Sequence, residues 1–203
     1  MDYLGRWENL FNRVGCNKSP GKQFHHLIKA YSENHRAYHN LNHIEHCLNE
    51  FDQLTNYLDL PDLVEIAIWY HDAIYNTRSD RNEEESALMA ERELKNLDIM
   101  QESIKIVHDF ILSTKHNDEP RNSDSKYLID IDLSILGADR NVFQEYETNI
   151  RKEFKWVPTF LFHKKRSEVL RSFLKRKHIF FTELFRQKYE NQARTNINSV
   201  LSD

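Results

Sequence analysis

Apolar residues recur at intervals of three and four positions along most of this chain, an interval that places them on one face of an α-helix. Only four glycines and four prolines interrupt the 203 residues, so long helices with short connections are expected. We therefore predict an all-α fold. The predicted helices cover residues 3–14, 22–33, 41–58, 61 onward, 82–97, 103–113, 126–136, 139–154, 159–175 and 180–201.

Capping residues define some of these boundaries. Asn40 is a suitable N-cap for the helix from Leu41, and Pro61 suits the first position of the following helix. The pattern of residues 126–136 fits either a strand or a helix. The helical interpretation is preferred, with Gly137 ending the helix.

The composition is that of a soluble globular protein, with 30% charged and 39% hydrophobic residues. No linker, internal repeat or low-complexity segment is evident. We predict one helical domain over residues 1–203, with a core at about 22–140 on which C-terminal helices at about 139–201 pack.

The sequence also indicates where in the cell the protein is expected. No apolar run approaches the roughly 20 residues of a membrane span, and the N-terminus lacks the basic and apolar segments of a signal peptide. Cys16 and Cys47 are too few for a disulfide framework. A cytoplasmic protein with no membrane partner is expected.

Positive charge is concentrated in one stretch. Residues 151–177 contain ten Lys or Arg against two Glu, about +8, in a chain whose net charge is -4. Such a stretch is most often the solvated face of a helix. The functional alternative is attraction of a phosphate-bearing ligand or a nucleic acid. Nucleic acid is the weaker expectation, because the basic run lacks the interleaved aromatics of a known stacking motif.

Histidine and aspartate recur in an order typical of a metal-ligand set. His39 and His43 are four positions apart, His71 and Asp72 are adjacent after a strongly apolar run, and Asp132 follows later. Imidazoles combined with carboxylates suit a divalent Mn, Fe, Zn, Ni or Mg ion. A bound ion of this kind makes hydroxide accessible at neutral pH.

This order resembles the HD superfamily of metal-dependent phosphohydrolases. Residues 38–43 (YHNLNH) and 132–134 (DLS) are also similar to motifs of the cyclic-nucleotide phosphodiesterases, a branch of that superfamily. Over roughly residues 35–200 the chain resembles a group of small predicted HD phosphohydrolases. The matching stretches are 38–44, 71–75, 82–87, 130–137, 151–154, 166–170 and 193–196.

The resemblance implies a role for each motif residue. One or two divalent ions would be bound, with Asp72 able to bridge a pair. His39 would stand in the place of the proton donor and act as a general acid toward the leaving oxygen. The implied metal ligands are His43, His71, Asp72 and Asp132.

Further residues are weaker candidates. Asp130 and Asp132 would point roughly opposite ways on a helix, so Asp130 is expected to face away from the metal. His116 could touch metal or substrate, or be a solvated loop residue. Glu83 could orient a ligand or a metal-bound water, or simply occupy an exposed first helical turn.

Three arginines are candidates for binding phosphate oxygens, because a guanidinium matches them bidentately. They are Arg151, Arg166 and Arg194. The competing interpretation is pairing with protein carboxylates such as Glu153 or Glu190.

The predicted function is hydrolysis of a phosphoester of a small metabolite, with a nucleotide as the expected class. One alternative is a cyclic-nucleotide-type phosphodiesterase. The His43–His71 spacing is shorter than in that branch and its purine-clamping glutamine is not identifiable, which argues against this specificity. The other alternative is a non-enzymatic metal- or nucleic-acid-binding module.

Overall fold

Every regular element in the part of the chain that the structure describes is helical, which confirms the predicted all-α fold. The computed structural model describes residues 1–115, 120 and 122–202. The helices are α1 (Tyr3–Arg13), α2 (Gly21–Tyr31), α3 (Leu41–Asp52), α4 (Pro61–Tyr70), α5 (Asn82–Asn96), α6 (Gln101–Ser113), α7 (Ser123–Leu133), α8 (Arg140–Glu153), α9 (Thr159–Lys175), α10 (Glu183–Phe185) and α11 (Asn191–Ser202).

The segment predicted as a helix over 126–136 is helical, spanning Ser123–Leu133 and continuing as a 3-10 turn to Gly137. Two further predicted helices differ from the observed ones. The helix predicted over 41–58 ends at Asp52, and a 3-10 turn at Thr55–Tyr57 follows it. The helix predicted over 180–201 begins later, and a π-helical turn at Arg186–Glu190 separates α10 from α11. Both differences are local changes in hydrogen-bond spacing, which a 3.6-residue periodicity does not distinguish.

The Cα packing divides the chain into two compact units, Met1–Leu128 and Ile129–Asp203. The boundary falls inside α7. The organisation predicted from the sequence, a single domain over 1–203, stays a prediction.

Helix α4 is the centre of the first unit. All its residues from Leu63 to Tyr70 are buried, and it packs against α1, α3, α5 and α6. Trp69, near its end, meets the Trp7 ring edge-on with 5.5 Å between the ring centroids. This all-round burial agrees with the apolar sequence, and it places the residue after α4 in a buried position.

The one acidic residue buried within α4 is fully paired. Glu65 accepts hydrogen bonds from Arg6 at 2.6 Å and from Arg13 at 2.7 Å, both from α1. At the start of α4, the Asp124 carboxylate accepts the backbone N–H groups of Asp59 and Leu60. These contacts hold the first half of α4 and leave neither buried carboxylate without partners.

The second unit is organised around the turn at Ser134–Gly137. The Asn196 side chain in α11 donates to the carbonyl oxygens of Leu136 and Ala138, at 2.9 and 2.8 Å. Gly137 lies against Tyr189, so closely that an added Cβ would fall 2.8 Å from the Tyr189 carbonyl oxygen. This position therefore requires a residue without a side chain.

Candidate metal centre

The histidines and the aspartate that the first unit contributes lie at two helix ends. Asn40 caps α3, as predicted, by accepting the backbone N–H of Asn42 at 2.9 Å. The cap places His43 in the first turn, where it is 3% exposed. His71 follows the last residue of α4 and is 2% exposed. The apolar helix α4 thus places the polar residue that follows it, His71, in the protein interior.

The orientation of the His71 ring is set by the main chain. Its Nδ1 lies 2.8 Å from the carbonyl oxygen of Ile68. A carbonyl can only accept, so Nδ1 carries the proton and donates. In the neutral ring Nε2 then carries no proton, and its lone pair can bind a metal ion. This is the tautomer of a metal-binding histidine whose Nδ1 donates a hydrogen bond.

Three donor atoms of the first unit form a small triangle. His43 Nε2 lies 3.1 Å from His71 Nε2 and 3.5 Å from Asp72 Oδ2, and His71 Nε2 lies 3.2 Å from the same oxygen. Adjacent ligands about 2.0–2.2 Å from one ion are separated by about 2.8–3.6 Å in octahedral or tetrahedral geometry. The donor set and its spacing therefore fit a divalent metal ion.

The electrostatics of Asp72 favour its ionised form. Burial opposes ionisation, but the surrounding imidazoles of His71, His39 and His43 outweigh it and hold the pKa of Asp72 well below its usual range. The nearby Glu83, at the start of α5, behaves in the opposite way. Burial raises its pKa, and the negative charge of Asp72 adds to the rise. The surroundings thus favour a charged carboxylate at Asp72 and oppose one at Glu83.

His39 precedes α3 and has a different environment from His43. Its ring stacks on Tyr75, with the centroids 4.2 Å apart and the planes at 28°, and its centroid is 5.9 Å from that of His43. His35 is also parallel to Tyr75, with the ring centroids 6.3 Å apart. His39 therefore lies beside the triangle, in a position fixed by an aromatic neighbour.

Arg36 joins the two segments that carry these side chains. Its guanidinium donates to the carbonyl oxygens of His39, Asp72 and Ala73, at 3.1, 2.6 and 2.9 Å. It also donates to the Glu33 carboxylate at 2.9 Å. The side chain is 1% exposed. Sequence reasoning gave Arg36 no role, because its acceptors are main-chain carbonyls brought together only by folding.

Cys47 is a further member of the cluster that sequence reasoning missed. Its Sγ lies 3.8 Å from both ring nitrogens of His43. One ligand atom from each of His43, Cys47 and His71 lies within 4.8 Å of the others. The i, i+4 spacing of His43 and Cys47 on one helix was the available signal.

The remaining candidates lie elsewhere. Asp132 is in the last turn of α7, in the second unit, and its assignment as a ligand stays a prediction. Asp130 accepts hydrogen bonds from Phe181 N, Thr182 N and Thr182 Oγ1, each at 2.7 Å. Those contacts occupy its carboxylate, in agreement with the expectation that it is not the ligand. His116 lies outside the described residues.

The three arginines contact protein groups in the second unit. Arg166 donates to the Glu147 carboxylate and to Tyr146 Oη, the latter at 2.7 Å. Arg194 donates to Glu190 at 2.8 Å. Arg151 donates to the main-chain oxygens that follow α8. Their predicted phosphate-binding role stays a prediction.

The fold and the cluster are compatible with one class of protein. The chain is all-helical in its described part and has a buried His–Cys–His group that could hold a metal ion, which is compatible with a metal-dependent hydrolase. Within the described residues, none of the helices has the length and apolarity needed to cross a membrane. Comparisons with protein-family models, curated proteins and solved structures give no match for this chain.

Proposed function

We propose that this protein is a metal-dependent phosphohydrolase that cleaves a phosphoester of a small metabolite, with a nucleotide as the expected substrate class. The observation that carries the proposal is the triangle of His43 Nε2, His71 Nε2 and Asp72 Oδ2, whose sides are 3.1 to 3.5 Å. The resemblance of the sequence motifs to HD phosphohydrolases points to the same chemistry.

In this proposal His43, His71 and Asp72 hold a divalent ion in the first unit. Such an ion would lower the pKa of a water toward about 7 and neutralise phosphate charge. The Ile68 carbonyl keeps the His71 lone pair on Nε2. The order of the motifs makes Asp132 a further proposed ligand. If it is one, Asp132→Asn should bind less metal than the wild-type chain.

His39 is the proposed proton donor. It stands outside the triangle, and the Tyr75 ring restricts its orientation. A ring nitrogen of His39 would give its proton to the leaving oxygen as the phosphoester bond breaks. Glu83 and His116 stay candidates for a supporting role at the same site.

The test is metal analysis of the purified chain followed by a panel of phosphoesters and nucleotides. Mn, Fe, Ni, Zn and Mg should each be supplied, because one or two ions of any of these are compatible with the imidazoles and carboxylate. The proposal expects stoichiometric metal and metal-dependent phosphate release. Both should be lost in His43→Ala and Asp72→Ala and kept in the exposed control His163→Ala.

The panel also separates the alternative functions. Turnover confined to cyclic nucleotides would replace the proposed substrate class by the cyclic diesters. Stoichiometric metal with no turnover of any phosphoester would contradict the enzymatic proposal and favour a metal-holding module. Absence of bound metal in the wild-type chain would contradict the proposal as a whole.

A further inference from the structure

The thiol of Cys47 lies against the histidines of the candidate metal centre. Cys47 is 1% exposed and its Sγ is 3.8 Å from each ring nitrogen of His43. His43 and Cys47 are one helical turn apart on α3, so the helix directs both side chains to the same side. His71 brings its donor atom within 4.8 Å of them from the end of α4.

These distances suit a shared ion. A sulfur about 2.3 Å and a nitrogen about 2.0–2.1 Å from one ion are at most about 4.4 Å apart. The 3.8 Å between Cys47 Sγ and His43 Nε2 falls within that limit. The competing interpretation is that Cys47 is a small apolar residue that fills the core beside His43.

We propose that Cys47 is a thiolate ligand of this centre, and that the resident ion is therefore a borderline transition metal such as Zn²⁺, Fe²⁺ or Co²⁺ rather than Mg²⁺. This inference rests on the proposed function, because it presupposes that His43 and His71 bind an ion. Thiolate selects softer ions, whereas an all-oxygen and imidazole set leaves Mg²⁺ and Mn²⁺ as competitors. On binding, the thiol proton is released to solvent.

Loading the purified 203-residue chain with Co²⁺ tests the proposal. A thiolate on Co²⁺ produces a sulfur-to-cobalt charge-transfer absorption in the near ultraviolet, whereas imidazole and carboxylate ligands produce only the weaker visible bands. The wild-type chain should show both. Cys47→Ser should keep bound Co²⁺ with its visible bands and lose the charge-transfer absorption. An excess of Mg²⁺ should not displace Co²⁺ from the wild-type chain.

Cys16 provides the matched control, since Cys16 and Cys47 are the only cysteines. Cys16 Sγ contacts the carbonyl oxygens of Lys18 and Leu97 and is not part of the cluster. Cys16→Ser leaves Cys47 as the single thiol, so its charge-transfer absorption should equal that of the wild type. This variant assigns the ligand even if a Cys47 substitution prevents folding.

The outcomes are distinguishable. Co²⁺ bound without charge-transfer absorption would overturn the role of Cys47 and leave the proposed function intact. Loss of that absorption in Cys16→Ser would assign the thiolate to Cys16 and overturn the inference as well. A wild-type chain that binds no Co²⁺ would contradict the proposed function itself.

Discussion

His39 and His43 are four residues apart in sequence and have different environments and different proposed roles. The His43 ring is buried, and its Nε2 lies within 3.5 Å of two other donor atoms. The His39 ring is stacked on Tyr75 beside that group. Substitution of the proposed metal ligand and of the proposed proton donor should therefore have different effects.

We expect His39→Ala to keep its metal and lose rate. General acid catalysis contributes about 10²–10⁴-fold, so the phosphate-release rate with a poor leaving group should fall by that factor. The loss should shrink for p-nitrophenolate, which leaves with little protonation. Metal content and kcat for both substrates are the measurements.

The control for this substitution is His35→Ala. His35 lies parallel to the same Tyr75 ring, at 6.3 Å, so it tests whether loosening Tyr75 alone explains a rate loss. Its rate should stay near that of the wild type. Metal loss in His39→Ala equal to that in His43→Ala would instead make His39 a ligand.

At the scale of secondary-structure elements, Arg36 is the connection between the segment before α3 and the end of α4. Arg36→Lys should lower the free energy of unfolding by at least about 2 kcal/mol, because an ammonium cannot reach the same carbonyl oxygens and buried acceptors are left unsatisfied. Denaturant unfolding measures this.

Metal affinity should weaken along with stability in Arg36→Lys, since the Asp72 carbonyl is one of the three acceptors. The exposed residue Arg81 supplies the control, as Arg81→Lys should change neither property. Unchanged stability in Arg36→Lys would mean that the carbonyl contacts contribute nothing measurable.

Gly137 is a second element-scale test, in the other unit. Gly137→Ala should destabilise the protein by about 1–3 kcal/mol, the range for overpacking, because the new Cβ meets main-chain and side-chain atoms of Tyr189. Thermal unfolding measures the change. Gly21→Ala is the matched control, since its Cβ would lie 3.5 Å from Ser19 Oγ, an ordinary contact. Equal melting temperatures for the two variants would refute the packing argument.

The sequence predicted these elements unevenly, for physical reasons. The all-α fold and the Asn40 cap follow from local signals, namely periodicity and side-chain chemistry, and both are confirmed. The early end of α3 and the π-helical turn are changes in hydrogen-bond spacing, which a 3.6-residue periodicity does not distinguish. Cys47 was missed because its i, i+4 spacing from His43 is a weak signal until folding brings His71 to the same place.

At the scale of the whole molecule, charge is divided between the two units. Residues 1–128 contain 14 basic and 22 acidic residues, net -8, whereas residues 129–203 contain 14 basic and 10 acidic residues, net +4. The unit that contains His43, His71 and Asp72 is thus the acidic one. A negative field favours the approach of cations over anions.

Metal binding should stabilise the folded chain, because the ligand atoms converge only after folding. At a metal concentration 100 times Kd the gain is about 2.7 kcal/mol, and the melting temperature should rise by about 5–10 °C. Calorimetry with added metal and with a chelator measures this. His43→Ala should show no such rise, and an equal rise in this variant would locate the stabilising ion elsewhere.

The hydrogen bond from His71 to the Ile68 carbonyl also bears on how the site tolerates mutation. Many metal-binding histidines are oriented by a carboxylate side chain, and one substitution removes that acceptor. Here the acceptor is a peptide oxygen, which every residue type provides. Ile68 can therefore be replaced by other apolar residues compatible with a helix, and His71 will keep the same tautomer.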